Sequence, residues 1–390
     1  MGSASAWGAL QVSGADASVA PGRTCRFRVS LAGASNISVG RVGLSITGPS
    51  GAPMPTVEDA VPVTQASGGL LPNGSGSGSD DLSAGVFEKI LSGLPSNIQA
   101  IAAFMVVNGI SGTGPIIDFV VRIPSAATVG TVYNVALTEL DFSDTAANQV
   151  DVTATGGKLT VVQAQLKPGQ ITTVPAVPAG VNGVVLPPSG APTSNPERFS
   201  GYAVIPYTLT GVEGGVTWTI ERLTGQESWP AADLGTIQDI SDASGTRAKY
   251  TAPTVTHNRL QAQTVRLRCR SNADPNLTFT VDVRVLPYGD ANLSGLTALD
   301  GVNAVTVSDA VAVFRWSLGL LGARRRFDAP SDLQLILCDV AGGTKIPVVD
   351  DAGRPITDTY LVQRNFGNGQ ITSSDAVKTF RIQLGLVQVP

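Results

Sequence analysis

The chain has 390 residues, with 26 Lys and Arg against 30 Asp and Glu, a net charge of −4 and only 14% charged side chains. This balance excludes the basic footprint that nucleic-acid binding needs. The densest apolar stretch, residues 98–107 (IQAIAAFMVV), falls far short of the ~20 residues of a membrane helix. At one domain per ~100–200 residues, two to four domains are expected, each long enough to bury a core.

The opening MGSASAWGAL lacks a basic n-region and an apolar h-region. Its Met-Gly-Ser reads as an added leader ahead of a mature secreted chain, so residues 1–5 are placed outside the fold. Low charge with abundant Gly, Ser and Thr fits an extracellular or cell-surface protein.

From residue 10 to about 162 the pattern is strand after strand. Cys25, Phe27, Val29 and Leu31 alternate with Arg26, Arg28 and Ser30, and the same period of two returns at Val42, Leu44 and Ile46 and at Tyr133, Val135 and Leu137. Such alternation marks half-buried antiparallel strands. Residues 98–107 and 116–123 are more continuously apolar, as strands covered on both faces would be. Turn signals (PGR, GPSG, SGTG, TVGT) separate roughly nine short strands, which predicts a β-sandwich of jelly-roll type. Residues 166–198 carry seven prolines and no alternation, and read as a semi-extended linker that partly lies along a neighbouring sheet. Residues 199–287 are again all β, with VTWTI, TVRLRCR and FTVDVRV as strands, and predict a small immunoglobulin-like sandwich.

The single histidine, His257, sits in a loop-like TVTHNRL and rules out His-rich metal sites; any Ser–His–Asp triad would depend on it alone. Cys25, Cys269 and Cys338 have no metal or redox spacing, which leaves either three buried thiols or one disulfide with a thiol left over. Asp80-Asp81 and Asp350-Asp351 lie in Gly- or Pro-rich loops and read as solvated turns. No stretch long enough for a catalytic module remains once three domains are assigned, so the chain is read as a non-enzyme.

The strongest signal is a repeat. AVTVSDAVAVFRWSLGL (304–320) and QITSSDAVKTFRIQLGL (370–386) align without gaps, with ten identities in 17 positions. Each predicts an amphipathic helix whose apolar set is Ala310, Val311, Phe314 and Leu318, or Ala376, Val377, Phe380 and Leu384, and which stops at Gly319 or Gly385. An aspartate opening precedes each: Gly289-Asp290-Ala291-Asn292 and Cys338-Asp339-Val340-Ala341. This pairing resembles a type I dockerin module, in which each repeat is a calcium loop followed by one helix.

The resemblance implies Ca2+ on oxygen ligands. In the first loop these are Asp290, Asn292 and Asp309, with Asp300 or Ser294 between them and a carbonyl near Thr306. In the second they are Asp339, Asn368 and Asp375, with a carbonyl near Thr372. The spacing departs from the pattern: 19 positions separate Asp290 from Asp309 and 36 separate Asp339 from Asp375, against about eleven in an ordinary calcium loop. Both loops therefore contain insertions, and Ala341 stands where the second loop needs an Asn. The resemblance also implies partner-reading side chains before the last loop aspartate and along the helix: Val307, Ser308, Arg315 and Trp316, and Ser373, Ser374, Arg381 and Ile382.

The first 165 residues in turn resemble a cohesin module, through LQVSGADASVAPGRTCRFRVSLAGASNISVGRVGLSI, ISGTGPIIDFVVRIPSAATVGTVYNVALTELDFSDTAANQV and a closing KLTVV. The binding face so implied lies near Arg41, Gly43 and Ser45 and around residues 97–107. Residues 199–287 resemble bacterial Ig-like modules, usually spacers.

The expected organisation is a cohesin-like sandwich (6–165), a Pro-rich linker (166–198), an Ig-like sandwich (199–287) and a dockerin-like module (288–390). The expected function is an extracellular scaffold, of the kind associated with polysaccharides, that joins other copies of itself head to tail into filaments, since heterologous contacts need not close. The alternative is an adaptor whose dockerin docks to a separate scaffold while its cohesin recruits another protein; an intramolecular clasp is a further arrangement.

Overall fold

The computed structural model describes residues 9–73, 86–178, 180–189, 201–242, 244–299, 301–319, 331–341, 346–349, 355–361 and 371–386. Asp80, Asp81, Asp300, Asp350, Asp351 and Asn368 lie outside the described residues. The protein is mainly β and divides into two compact units, residues 1–165 with 209–215, and 166–208 with 216–390.

Unit one contains β1 (Leu10–Gly14), β2 (Ala17–Val19), β3 (Thr24–Thr47), β4 (Thr56–Pro62), β5 (Val86–Ile90), β6 (Ala100–Arg122), β7 (Val132–Asp144), β8 (Val152–Thr155) and β9 (Gly157–Val161). The ladder runs β2-β9-β7-β3-β1-β8, with β6 also along β3 and β4 and β5 along β6. The alternating residues read from sequence are those buried: Cys25, Phe27, Val29 and Leu31 enter the core with Phe104, Phe119, Tyr133 and Phe142. The short strands expected at 25–31 and 42–46 are parts of one 24-residue strand, and those at 98–107 and 116–123 are parts of one of 23 residues. The ladder survives because bulges absorb the bends. Its register shifts cluster between Val29 and Val39 of β3, where Gly33 and Asn36 have positive φ, opposite Gly109 and Gly112 of β6, which do too. Gly40 is required for packing, since a Cβ there would lie 2.4 Å from the Phe104 ring and 2.8 Å from that of Phe142.

In unit two the proline-rich segment lies along the sheets: β10 (Gln165–Pro168) and β11 (Thr172–Val174) pair with β13 (Tyr202–Thr210), and β12 (Val184–Leu186) runs parallel to β18 (Thr278–Val285). Prolines between these short pieces fit edge strands, which need donate on one side only. One sheet is β10-β13-β16-β15 with β11 on β13; the other is β12-β18-β17-β14, where β14 is Val216–Glu221, β15 Thr236–Asp239, β16 Arg247–Thr251 and β17 Gln263–Ser271. Between them Ile205, Tyr250, Val265, Leu267 and Val283 form a sandwich core, with Trp218 edge-on to Tyr207 and Phe279. All three cysteines are buried free thiols, which closes the disulfide alternative.

Three helices lie among the described residues: α1 (Val307–Ser317), α2 (Asp332–Cys338) and α3 (Ser373–Gln383), with a hairpin of β19 (Ile346–Val349) and β20 (Pro355–Leu361). The repeated helices α1 and α3 form as their sequences dictate. Thr306 and Thr372 are N-caps, Asp309 and Asp375 close capping boxes, and Gly319 and Gly385 take positive φ just past the last turn. Helix α2 precedes the second loop, started by a Ser331–Gln334 capping box, with Leu333, Ile336 and Leu337 buried. This helical part is not a separate domain, as a boundary at residue 288 implied. Val185, Ala262 and Leu286 of the sandwich share one core with Ala291, Val313, Leu333, Leu337 and Ala376.

Candidate functional site: a repeated loop–helix pair and an exposed sheet face

The first loop reads D-A-N-L-S-G from Asp290, and its backbone closes on that aspartate. Asp290 is fully buried; its Oδ1 accepts the Ser294 N–H and its Oδ2 the Gly295 N–H, both at 2.9 Å. Asp309, also fully buried, accepts the Asn292 N–H on Oδ1 (2.9 Å) and both the N–H and hydroxyl of Thr306 on Oδ2 (2.8 Å each). The Asn292 Oδ1 accepts the Ser294 N–H, and its Nδ2 donates to Ser308 Oγ at 3.0 Å.

The second loop repeats the arrangement at its helix. Asp375 accepts the Thr372 N–H (2.8 Å) and hydroxyl (2.7 Å) on Oδ2, while the Ala341 N–H donates to Oδ1 at 2.6 Å. Ala341 thus does with its backbone what Asn292 does in the first repeat, and adds no side-chain oxygen. Asp339 is the C-cap of α2.

The electrostatics follow from burial. Loss of solvent, with Asp309 adding its charge, pushes the Asp290 carboxyl up to about 7, against the pull of its two backbone N–H groups. Burial raises the Cys338 thiol well above its ordinary value, and Asp309, Asp290, Asp375 and Asp339 all raise it further. Four loop aspartates therefore act on one buried thiol.

Among the described residues no Lys or Arg side chain pairs with Asp290 or Asp309, and no three His, Cys, Asp or Glu groups form a metal cluster. Two buried carboxylates, an amide oxygen and a hydroxyl make a hard-cation donor set, and the first loop fits calcium on that ground. In the second loop the described candidates are Asp339, Asp375 and Thr372, with no side-chain oxygen at Ala341 to match Asn292, which makes a poorer set.

The helix faces depart from expectation. On α1 the buried residues are Ala310 and Val313, whereas Val307, Val311, Phe314 and Leu318 are 42–55% exposed. On α3 Ala376, Thr379 and Ile382 are buried, whereas Val377, Phe380 and Leu384 are 40–53% exposed. The apolar set assigned to the core is therefore split: its alanines go in, and its Val, Phe and Leu face out. The reason is steric, since α1 and α3 pack against each other and small residues permit the approach. Two expected partner-reading residues are corrected accordingly. Ile382 is a core residue at 2% exposure, and Trp316 is half-buried against the shared core. Val307, Ser308, Arg315, Ser373, Ser374 and Arg381 are exposed.

In unit one the outward side of β5-β6-β3-β7 carries a second exposed surface. Val39 pairs with Met105, which pairs with Val86, and Arg41 pairs with Ala103, which pairs with Glu88. Val39, Met105, Val107 and Ile90 are 38–57% exposed. Glu88, Glu139 and Asp141 are the exposed acids there, and Arg41 bonds Glu139 at 3.1 Å. Gly43 keeps the strip flat, since a Cβ would meet Thr138 Oγ1 at 2.9 Å.

No family model and no curated protein sequence matches the chain. Solved structures similar to it include a non-cellulosomal cohesin from the archaeon Archaeoglobus fulgidus, at 18% identity, covering 40% of this chain and 93% of that one with a TM-score of 0.30. Another is CaCohA2 from Clostridium acetobutylicum, at 20% identity over 40% and 91% with a TM-score of 0.30. A third is the sixth cohesin of scaffoldin B from Acetivibrio cellulolyticus, solved in complex with a Cel5 dockerin mutant, at 16% identity over 40% and 99% with a TM-score of 0.29.

The lone His257 is a partly exposed loop residue, stacked on Trp229 with centroids 4.2 Å apart and bonded through Nδ1 to Asp233 at 2.6 Å. No helix among the described residues is long and apolar enough to cross a membrane.

Proposed function

We propose that the protein is a non-catalytic, extracellular docking component that joins copies of itself head to tail. In this reading the helix pair of unit two is a dockerin-like plug, and the β5-β6-β3-β7 face of unit one is its cohesin-like acceptor. The observation that carries it is the repeated stripe of exposed Val, Phe and Leu on α1 and α3, rimmed by Arg315 and Arg381. An 11-residue helix presenting a Phe between two aliphatic residues to solvent loses stabilisation unless a partner covers it, and aromatic and Arg side chains are the usual interface anchors. The acceptor face offers a matching apolar strip and, beside the Arg41–Glu139 pair, the acids Glu88 and Asp141 against those arginines.

Calcium on the first loop would be held by Asp290, Asn292 and Asp309, with Ser294 in reach, and would neutralise the buried carboxylate pair. The chain's own residues fix the helix start: Asp309 ties the loop opening at Asn292 to the N-cap Thr306, so the pose of α1 follows the pose of the loop.

Sedimentation velocity of the full chain across a concentration series in calcium tests this reading. Species should grow with concentration, and Phe314→Asp with Phe380→Asp should return the protein to monomer. A wild-type chain that stays monomeric throughout contradicts self-association.

A further inference from the structure

The first loop is fastened to the sandwich of unit two, and one arginine makes three of the bonds there. Arg284, on β18, faces the loop and donates from Nε to the Gly295 carbonyl (2.9 Å), from Nη2 to the Ala298 carbonyl (2.6 Å) and from Nη1 to Thr264 Oγ1 (2.8 Å). The Gly295 residue it grips through the carbonyl also gives its N–H to Asp290 Oδ2. Gly295 is pinned on both sides: a Cβ there would lie 2.6 Å from Asp290 Oδ2, 2.9 Å from Leu286 and 3.0 Å from Ala262, the last two belonging to the sandwich. Further stitches follow along the insertion. Gln261 Nε2 donates to the Gly301 carbonyl at 2.9 Å, and Ala304 N–H to the Leu260 carbonyl at 2.7 Å. The loop is thus tied down at Gly295, Ala298, Gly301 and Ala304.

We infer that Arg284 is a positioning residue for the first-loop cation site, and that the sandwich is a working part of that site, not a spacer. The inference rests on the calcium reading of the first loop. Arg284 does not touch the ligand oxygens. It holds the peptide that holds Asp290, and its fixed fork keeps two loop carbonyls at one spacing, which a lysine cannot do. Groups that orient metal ligands from outside the first layer typically change affinity by about 10–100-fold when removed.

The test is calorimetric titration of Ca2+ into the full-length protein, decalcified beforehand, well below its unfolding temperature. Arg284→Met should weaken the tightest site by about 10–100-fold, Arg284→Lys by a smaller factor. Arg266→Gln, which removes only a solvent-facing partner of Asp282 on the neighbouring strand, should leave affinity unchanged. A merely structural role for Arg284 lowers the unfolding temperature in chelator and leaves the affinity of the folded protein at the wild-type value; that result overturns the inference while the calcium reading stands. Wild-type protein that takes up no calcium overturns both. If Arg284→Met fails to fold, Arg284→Lys decides alone, since wild-type affinity in that variant overturns the inference.

Discussion

Gly295→Ala is the sharpest probe of how unit two is assembled. The added methyl would sit 2.6 Å from Asp290 Oδ2, 2.9 Å from Leu286 Cδ2 and 3.0 Å from Ala262 Cβ. Reaching ordinary contact near ~3.5 Å requires shifts of roughly 0.5–1 Å. None of these neighbours is a loose chain end. Asp290 is held by two N–H bonds, while Leu286 and Ala262 are buried in the shared core. Gly295 does not have positive φ, so alanine brings no backbone strain and gains about 0.4–1 kcal/mol by restricting the unfolded chain. Overpacking costs about 1–3 kcal/mol. The middle of these ranges is a net loss of about 1.3 kcal/mol, or roughly 3–5 °C for a unit of this size. Thermal unfolding in chelator, followed by tryptophan fluorescence, reads it, because Trp218, Trp229 and Trp316 all belong to unit two. A variant as stable as wild type, or more so, refutes the claim that the loop is wedged between carboxylate and sandwich.

Three other outcomes follow from the same geometry. Thr379 is fully buried with its hydroxyl unpaired, at the position where α1 carries Val313, so Thr379→Val should stabilise the protein by about 1 kcal/mol in urea titration; destabilisation would contradict the packing described. Burial pushes the thiols of Cys25 and Cys269 up to about 12 and that of Cys338 well above its usual value, so at pH 8 all three stay protonated. A thiol-reactive disulfide reagent should label none of them in the native protein and all three in denaturant, and rapid native labelling would refute their burial. Calcium at about 100 times its dissociation constant should stabilise unit two by about 2.7 kcal/mol relative to chelator, and leave unit one unchanged.

Much of this architecture was legible in the sequence. Period-two alternation located the core face of β3 and β7 residue by residue, and the Gly stop ended both repeated helices, whereas the Thr306 and Thr372 N-caps were visible only in the structure. The fusion of short strands into β3 and β6 was hidden, because Gly33, Asn36, Gly109 and Gly112 read equally as turns or as bulges. Proline spacing excluded a helix from 166–198 but could not show that three short pieces between the prolines complete sheets. The inward face of α1 was misread for a reason of size: Val311, Phe314 and Leu318 outrank Ala310 in hydropathy, yet the close approach of α1 and α3 selects the small side chain. The dockerin resemblance places Ile382 on the partner surface, whereas the structure buries it in the core. The fastening of the first insertion to Arg284 had no local signal, since it joins a strand to a loop by backbone carbonyls.

Photo-crosslinking tests the central claim most directly. Full-length protein carrying a benzophenone amino acid at position 314 would be mixed with isotope-labelled wild-type chain in calcium, irradiated and digested. Docking of the helix plug onto the sheet of another copy predicts mixed-isotope crosslinks from position 314 to peptides of β5, β6 or β3 that contain Val39, Ile90 or Met105. Crosslinks confined to other surfaces, or found only within one chain at every concentration, would contradict it.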